Sequence, residues 1–442
     1  MNRIISFLLP PRHFGRFRPL SRSNRIFHRR LHLLKHHKIE GVEPFANYVP
    51  GGYHPVHIGD QLHSRYSIVN KIGHGSCSTV WLARDKCTNK LVAVKVVVSD
   101  IRNEEANIKS ALSVATGSSF FPPALDHFTV RGPNGVHQCY VMEPAICNLE
   151  VLREGPRYLE PNTVRSLVAQ LILSMATMHR HGFIHGEFVL KNILLRFPSG
   201  SPDLTDRELR EKWPEKPKPV DSLDGSRLPP NFPSYGYIPI ILRDVHQKLS
   251  PQADIWVAGL TETFVPSAKT RKDFVGSLTH CAPEFLFAPQ ESELSFSSDI
   301  WALACSIWHL LGESPLSPTF LCFDEEDTMG AQVDLLGLHG LPSSWRERWE
   351  THSEFVMNAD ILSHNQSRAW NEHFESSIQQ LRKENRYWEI LPEEKEAIID
   401  MLQPMLAWKP EDRCTAAQVA ESKWMTQWGL PRYKKAMEQG IA

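Results

Sequence analysis

The chain has 442 residues, long enough for one large two-lobed domain or two ordinary ones. Apolar residues make up 41% and charged residues 22%, the balance of a soluble globular protein. A formal net charge of −1 gives no global argument for nucleic acid or a membrane surface, so neither is expected as a direct partner. The eight cysteines are scattered, with no C-x-x-C pair and no Cys/His cluster at zinc spacing, which points to reduced thiols in an intracellular protein.

Residues 1–44 form a basic N-terminal tail, and its first 39 residues hold no Asp or Glu. That composition suits a mitochondrial transit peptide, a disordered tail, or upstream sequence that is not translated. Without such a signal, the cytoplasm or nucleus is expected. Residues 45–65 are a Gly/Pro-punctuated lead-in with no strong period. "YSIVNKIGHGSCSTVWLARD" then alternates around a glycine pair, predicting two strands and a tight turn. "LVAVKVVV" predicts a third strand, "NEEANIKSALSV" a helix, and "QCYVMEPA" a strand running into a connector. "PNTVRSLVAQLILSMATMHRHG" predicts a long helix with Asn162 as cap and Gly182 as stop. Its apolar centre is too short to span a bilayer. Residues 198–251 hold ten prolines and read as a spacer mostly without regular structure. From "SDIWALACSIWHLLG" to about residue 428 the pattern is helical and Trp-rich, and residues 429–442 form a C-terminal tail.

The glycine turn carries chemistry. Gly73 and Gly75, followed by Ser78, leave backbone exposed to approach by phosphate oxygens. Alone this is weak, because hairpins commonly turn on glycine. It strengthens because "VAVK" follows at the spacing of a phosphate-binding lysine, Lys95. The acidic partner for Lys95 is Glu105, with Glu104 as the alternative helix phase.

These stretches resemble the eukaryotic protein kinases, and within them the SR-protein kinase group. The resemblance runs through "GGYHPVHIGDQLHSRYSIVNKIGHGSCSTVWLARD", "VMEPAICNL", "HGEFVLKN", "CAPEFLF", "DEEDTMGAQVDLLG" and "MLAWKPEDRCTAAQVAESKW". It implies an α+β, two-lobed protein-kinase fold over residues 66–428. The small β-rich lobe would span about 66–145, and the α-helical lobe about 146–428 with the 198–251 insert. It implies ATP and Mg²⁺ as cofactors and phosphoryl transfer to Ser/Thr of Arg/Ser-rich proteins. Ile72, Gly73, Gly75, Ser78, Val80, Ala93, Lys95 and Leu194 would surround the nucleotide. Met142 would be the gatekeeper, with backbone at Glu143 and Ala145 bonding the adenine edge. Glu284 would pair with Arg413, and Asp299 would brace the catalytic loop. An acidic run, Asp324, Glu325, Glu326 and Asp327, would dock arginines by Coulomb attraction, or serve as the N-terminus of a helix. A monomer is expected.

The chain departs from the family at three places. Glu187 replaces the Asp base and is one methylene longer, a misplacement of about 1 Å that can cost on the order of a hundredfold. Val189 replaces the usual Lys, and Lys191 either restores that charge from its place before Asn192 or simply faces solvent. Gly259 stands where the metal-binding Asp belongs, which leaves Asn192 as the remaining standard metal ligand. Glu262 is a remote substitute. Two further readings stay open: an interaction scaffold that binds nucleotide or nothing, and a small-molecule phosphotransferase. The latter rests on the likeness of "HGEFVLKN" to the loop of aminoglycoside-type kinases, which lack the "APE" segment.

Overall fold

The computed structural model describes residues 38–100, 108, 111–112, 120–153, 159–198, 204–214, 217–222, 227–242, 249, 251–312, 315–316, 324–352 and 366–440. Most of the basic tail lies outside them, as do Glu104 and Glu105 and most of the helix predicted around them.

The small lobe is a six-stranded antiparallel sheet in the order β1-β2-β3-β4-β6-β5. Its strands are β1 (Gln61–Leu62), β2 (Tyr66–Gly75), β3 (Ser78–Asp85), β4 (Leu91–Val97), β5 (Asp126–Gly132) and β6 (Gly135–Met142). β4 is buried along nearly its whole length, as its run of Val and Ala demands. Two short strands, β7 (Cys147–Asn148) and β8 (Ile193–Leu195), join β11 (Ile255–Val257) in a three-stranded sheet at the lobe boundary.

The large lobe is helical: α1 (Pro161–Arg180), α3 (Pro283–Phe287), α4 (Phe296–Leu311), α5 (Glu325–Leu336), α6 (Ser343–His352), α7 (Gln366–Phe374), α8 (Gln380–Glu384), α9 (Pro392–Leu402), α10 (Ala416–Ala420) and α11 (Leu430–Gly440). The insert contributes α2 (Asp206–Lys212). One apolar core joins α1, α4 and α9 with the strands of the lobe boundary. α1 starts differently from the prediction. Glu160 is the N-cap residue and Pro161 takes the first turn, where its missing N–H costs nothing, so Asn162 lies inside the helix. Gly182 does end the segment, at φ +80°.

The largest difference from expectation is the insert. Its described residues are mostly irregular, as composition predicts, but they include α2, started by a capping box at Thr205 and Glu208, and an antiparallel pair of β9 (Pro217–Pro219) and β10 (Tyr235–Tyr237), and they are packed rather than loose. Prolines prevent long elements, but the apolar residues between them still find partners on the small lobe. Leu209 and Leu242 are buried with Val69, Leu82 and Leu91, and Tyr237 packs its ring edge-on against Trp81. Ile240 N–H donates to the Lys71 carbonyl (2.8 Å) and Leu242 N–H to the Ile146 carbonyl (3.0 Å), so the insert bridges β2 and the connector.

The end of the predicted tail is equally attached: Val42 and Glu43 are buried, so the packed structure begins before the 45–65 lead-in. Glu43 and Lys71 form an ion pair with side chains 3% and 1% exposed, and Glu43 also accepts from the Tyr48 hydroxyl (2.5 Å). Removing one partner of such a pair strands a buried charge, which costs about 3–5 kcal/mol. Lys71→Met alone should lower the unfolding free energy by that amount, whereas Lys71→Met with Glu43→Leu should recover much of it. Denaturant titration of the two variants measures the difference.

Burial also sets an acid sensitivity. His280 is held in neutral form, its pKa lowered to about 3 by desolvation, then by His309 and Lys191. The unfolded chain takes that proton near its ordinary value, so the stability His280 contributes is present above about pH 6.5 and is lost as pH falls toward its folded value. The stability of wild type relative to His280→Asn should therefore drop by roughly 1–2 kcal/mol between about pH 7 and pH 5, read from paired denaturant titrations.

Candidate functional site

Strand register assembles a nucleotide-sized roof. Gly73 faces Val80 across β2–β3, and Val80 faces Lys95 across β3–β4. Ala93, two residues from Lys95 and so on the same face, pairs with Met142 on β6. Ala93, Val97, Tyr140 and Met142 form a small apolar cluster of their own, with Ile72 and Val80 packed against it. Leu194 lies half-buried in β8 opposite Trp256 and Asn148, and Glu143 and Ala145 are half-buried in the connector.

The glycine turn is open above the cleft. A Cβ on Gly75 would meet nothing within 4 Å, and one on Gly73 would make only ordinary contact with Val80. Ser78 is buried in β3. The tip is tied from outside: the Tyr53 hydroxyl donates to the carbonyls of Gly75 (2.7 Å) and Ser76 (3.2 Å). Cys77 packs against the lead-in and insert residues Tyr48, Tyr53, Val220 and Phe232. Burial raises the Cys77 thiol pKa, with a smaller lowering from the Ser76 hydroxyl 3.4 Å away.

The catalytic-type loop is held by buried hydrogen bonds. Asp299, on α4, accepts from the backbone of His185 (2.7 Å) and Gly186 (2.9 Å), and lies 3.1 Å from His179 Nε2. His185 is fully buried, its pKa lowered by desolvation. Its Nδ1 accepts from the Glu187 backbone N–H (3.2 Å), which leaves Nε2 to donate to the Ala258 carbonyl (3.0 Å). Neutral His185 therefore fastens the backbone of residue 187 to the segment that ends at 259. Gly186, at φ +80°, has the Glu262 carbonyl 3.1 Å from where a Cβ would stand, so both conformation and space favour glycine. Lys95 Nζ donates to Thr261 Oγ1 (3.1 Å).

The three departures have definite surroundings. Glu187 forms an ion pair with Lys191 (2.8 Å), so Lys191 does not simply face solvent, although its side chain is 47% exposed. Val189 is buried beneath the loop. Gly259 has φ +73°, and a Cβ there would fall 2.4 Å from Asn192 Cγ. Asn192 in turn donates from Nδ2 to the Glu187 carbonyl (2.9 Å) and accepts at its own carbonyl from the Ala258 N–H (2.8 Å). Glu262 pairs with Arg271, and burial, then Arg271 and Glu187, act on its carboxyl with a net rise in pKa. Among the described residues no group of three or more His, Cys, Asp or Glu is arranged to hold a metal ion.

Sequence reasoning missed the Glu43–Lys71 pair, the Tyr53 tether and Arg271. Nothing local in the sequence marks any of the three. Glu105 lies outside the described residues. Asp324 caps α5, accepting from the Asp327 N–H (2.9 Å), with Glu326 exposed beside it. The Glu284–Arg413 pair is bidentate and buried.

Comparison with known proteins gives a consistent result. The protein kinase domain family matches residues 66–265 and 259–425. Serine/threonine-protein kinase spk-1 of Caenorhabditis briggsae is 39% identical over 168 residues, which is 35% of this chain and 15% of the worm protein. SRSF protein kinase 3 of Homo sapiens is 35% identical over 35% of this chain and 30% of the human protein. Serine/threonine-protein kinase SRPK of Physarum polycephalum is 27% identical over 87% of this chain and 91% of that protein. The matches to the worm and human proteins thus span well under two thirds of those proteins. The crystal structure of a kinase domain superposes with a TM-score of 0.51 at 15% identity, covering 84% of this chain and 98% of the other, which speaks to fold alone. With the lobes, the register of Lys95 and the brace on the catalytic-type loop all in place, the chain belongs to the protein kinase domain family and resembles its SR-protein kinases.

Proposed function

We propose that this chain binds ATP beneath the glycine turn and engages Arg/Ser-rich proteins, with weak transfer of the γ-phosphate to Ser/Thr. The apolar roof of Ile72, Val80, Ala93 and Met142, aligned with Lys95, supports the nucleotide half of this reading. The exposed acids at the start of α5 support the second half, through attraction to arginines. Asp324 spends part of its capacity on the helix cap, so Glu326 is the better-placed contact for a partner.

One observation carries the weakness: the side chain of Asn192 fills the space into which a carboxylate stem at 259 would project. Loss of one preorganised contact of this kind costs at least ~10²–10³ in rate. Glu187 retains a carboxylate, but Lys191 holds it, so its availability as a base depends on that pair opening. The same observation favours a second reading, a nucleotide-binding scaffold without turnover. Nothing in the site favours a small-molecule phosphotransferase, because the buried Glu284–Arg413 pair belongs to the "APE" segment those enzymes lack.

Phosphate transfer to an Arg/Ser peptide, with Glu187→Ala and Lys95→Met as controls, tests the reading. Weak transfer lost in both variants supports the kinase, and an equal blank in all three supports the scaffold. Gly75→Ala separates binding from folding. Its Tm should be nearly unchanged, because open space receives the methyl group, while nucleotide affinity should fall several-fold as the turn is crowded. Glu326→Lys should weaken binding of an Arg-rich peptide and flatten its salt dependence, measured by fluorescence anisotropy.

A further inference from the structure

We infer that this cleft takes a nucleoside triphosphate without a divalent cation, the chain's own Lys95 and Lys191 standing in for the metal; this rests on the nucleotide reading above. Mg²⁺ demands near-ideal octahedral oxygen ligation and is usually held in kinase-type sites through carboxylates and phosphates. The donor set here does not fit that demand. Position 259 contributes no side chain, its φ is +73°, and a Cβ there would fall 2.4 Å from Asn192 Cγ, so the Asn192 side chain would have to shift to admit one. Asn192 bonds its amide nitrogen to the Glu187 carbonyl, so what it could offer a cation is a neutral amide oxygen that brings no charge.

Two carboxylates of this site are already matched by cations of the chain. Glu187 holds Lys191, and Glu262 holds Arg271. A metal at either carboxylate would have to displace a partner already in place, with Coulomb repulsion from the displaced cation nearby. Phosphate oxygens, by contrast, can share Lys191, which is 47% exposed, without breaking its pair. Lys95 donates to Thr261, two residues past Gly259, so its ammonium stands at the end of the segment where a metal-binding side chain is missing. The open space beside Gly75 leaves room for phosphate to approach the turn.

The consequence is an inverted response to magnesium. ATP in excess Mg²⁺ is mostly chelated, so a site that prefers the free anion loses apparent affinity when Mg²⁺ is added. The test is calorimetric titration of the full chain with ATP in excess EDTA and again in excess Mg²⁺, with Lys95→Met beside wild type. The expected result is binding in EDTA at least as tight as in Mg²⁺, weakened about tenfold or more in Lys95→Met, the loss of one charge-assisted contact. Binding seen only with Mg²⁺ overturns this inference and leaves the nucleotide reading standing. Binding in EDTA that Lys95→Met does not change overturns it too, because the nucleotide then lies outside the cleft. Absence of binding in both media, with apo wild type and variant unfolding at similar Tm, removes the nucleotide reading and this inference together.

Discussion

The carboxylate of Asp299 is the point on which the site's geometry depends. It is 1% exposed and accepts two consecutive backbone N–H groups, those of His185 and Gly186, at the place where the chain turns sharply through φ +80°. A buried carboxylate is tolerable only when its lone pairs are filled, and here the loop fills them, so α4 and the loop hold each other. From that fixed turn the rest follows. His185 is aimed at the Ala258 carbonyl, residue 187 is fixed through His185 Nδ1, and the β8–β11 pairing carries the chain to Gly259 beside Asn192. The brace is intact even though the groups it positions are altered. Scaffold and chemistry answer to different residues, and a chain can keep the first while losing part of the second.

A second set of contacts acts on the small lobe from outside. Lead-in and insert meet over the glycine turn: the Asn231 side chain donates to the Tyr48 carbonyl, and Asn134 donates to the carbonyls of Tyr53 and Asn231. Each bond ties together segments far apart in sequence. The turn that would fold over phosphate is thereby carried by a platform and does not stand alone as a hairpin tip. Such a platform lowers the conformational freedom a ligand must quench, and it is built from residues outside the minimal kinase motifs.

What could be read in advance divides along physical lines. Strands β2, β3, β4 and β6, α1 and the α4 stretch were legible because their apolar patterns match the face they bury, whereas β1 and β5 were not anticipated. Gly73 and Lys95 were singled out by their spacing, whereas Val80, Met142 and Asn192 came only through the family resemblance; strand register puts Val80 opposite both Gly73 and Lys95, and Met142 opposite Ala93. The packing of the insert was not legible, because proline content reports only that long elements are excluded, and says nothing of whether Leu209, Tyr237 and Leu242 will find an apolar surface. The cap of α1 was misplaced because Pro161 sets the first turn by its fixed φ without any side-chain bond. The fate of Lys191 and Glu262 was open because each depends on a single partner, and for Glu262 that partner, Arg271, lies in a stretch with no period to place it.

The changes at 187, 191 and 259 form one arrangement. A carboxylate at 259 would need space beside Asn192, where a Cβ at 259 would already fall 2.4 Å from Cγ. Without it, the longer acid at 187 reaches a lysine four residues on in the same loop. That pair neutralises the loop's acid from within, and Asn192, freed from facing a carboxylate at 259, closes onto the loop's own backbone. Reversing one substitution alone would therefore meet the other two. An aspartate restored at 259 would stand in a left-handed backbone conformation against Asn192, while Lys191 would still hold the base, so the altered site is a self-consistent packing in which each residue stabilises its neighbours' departures.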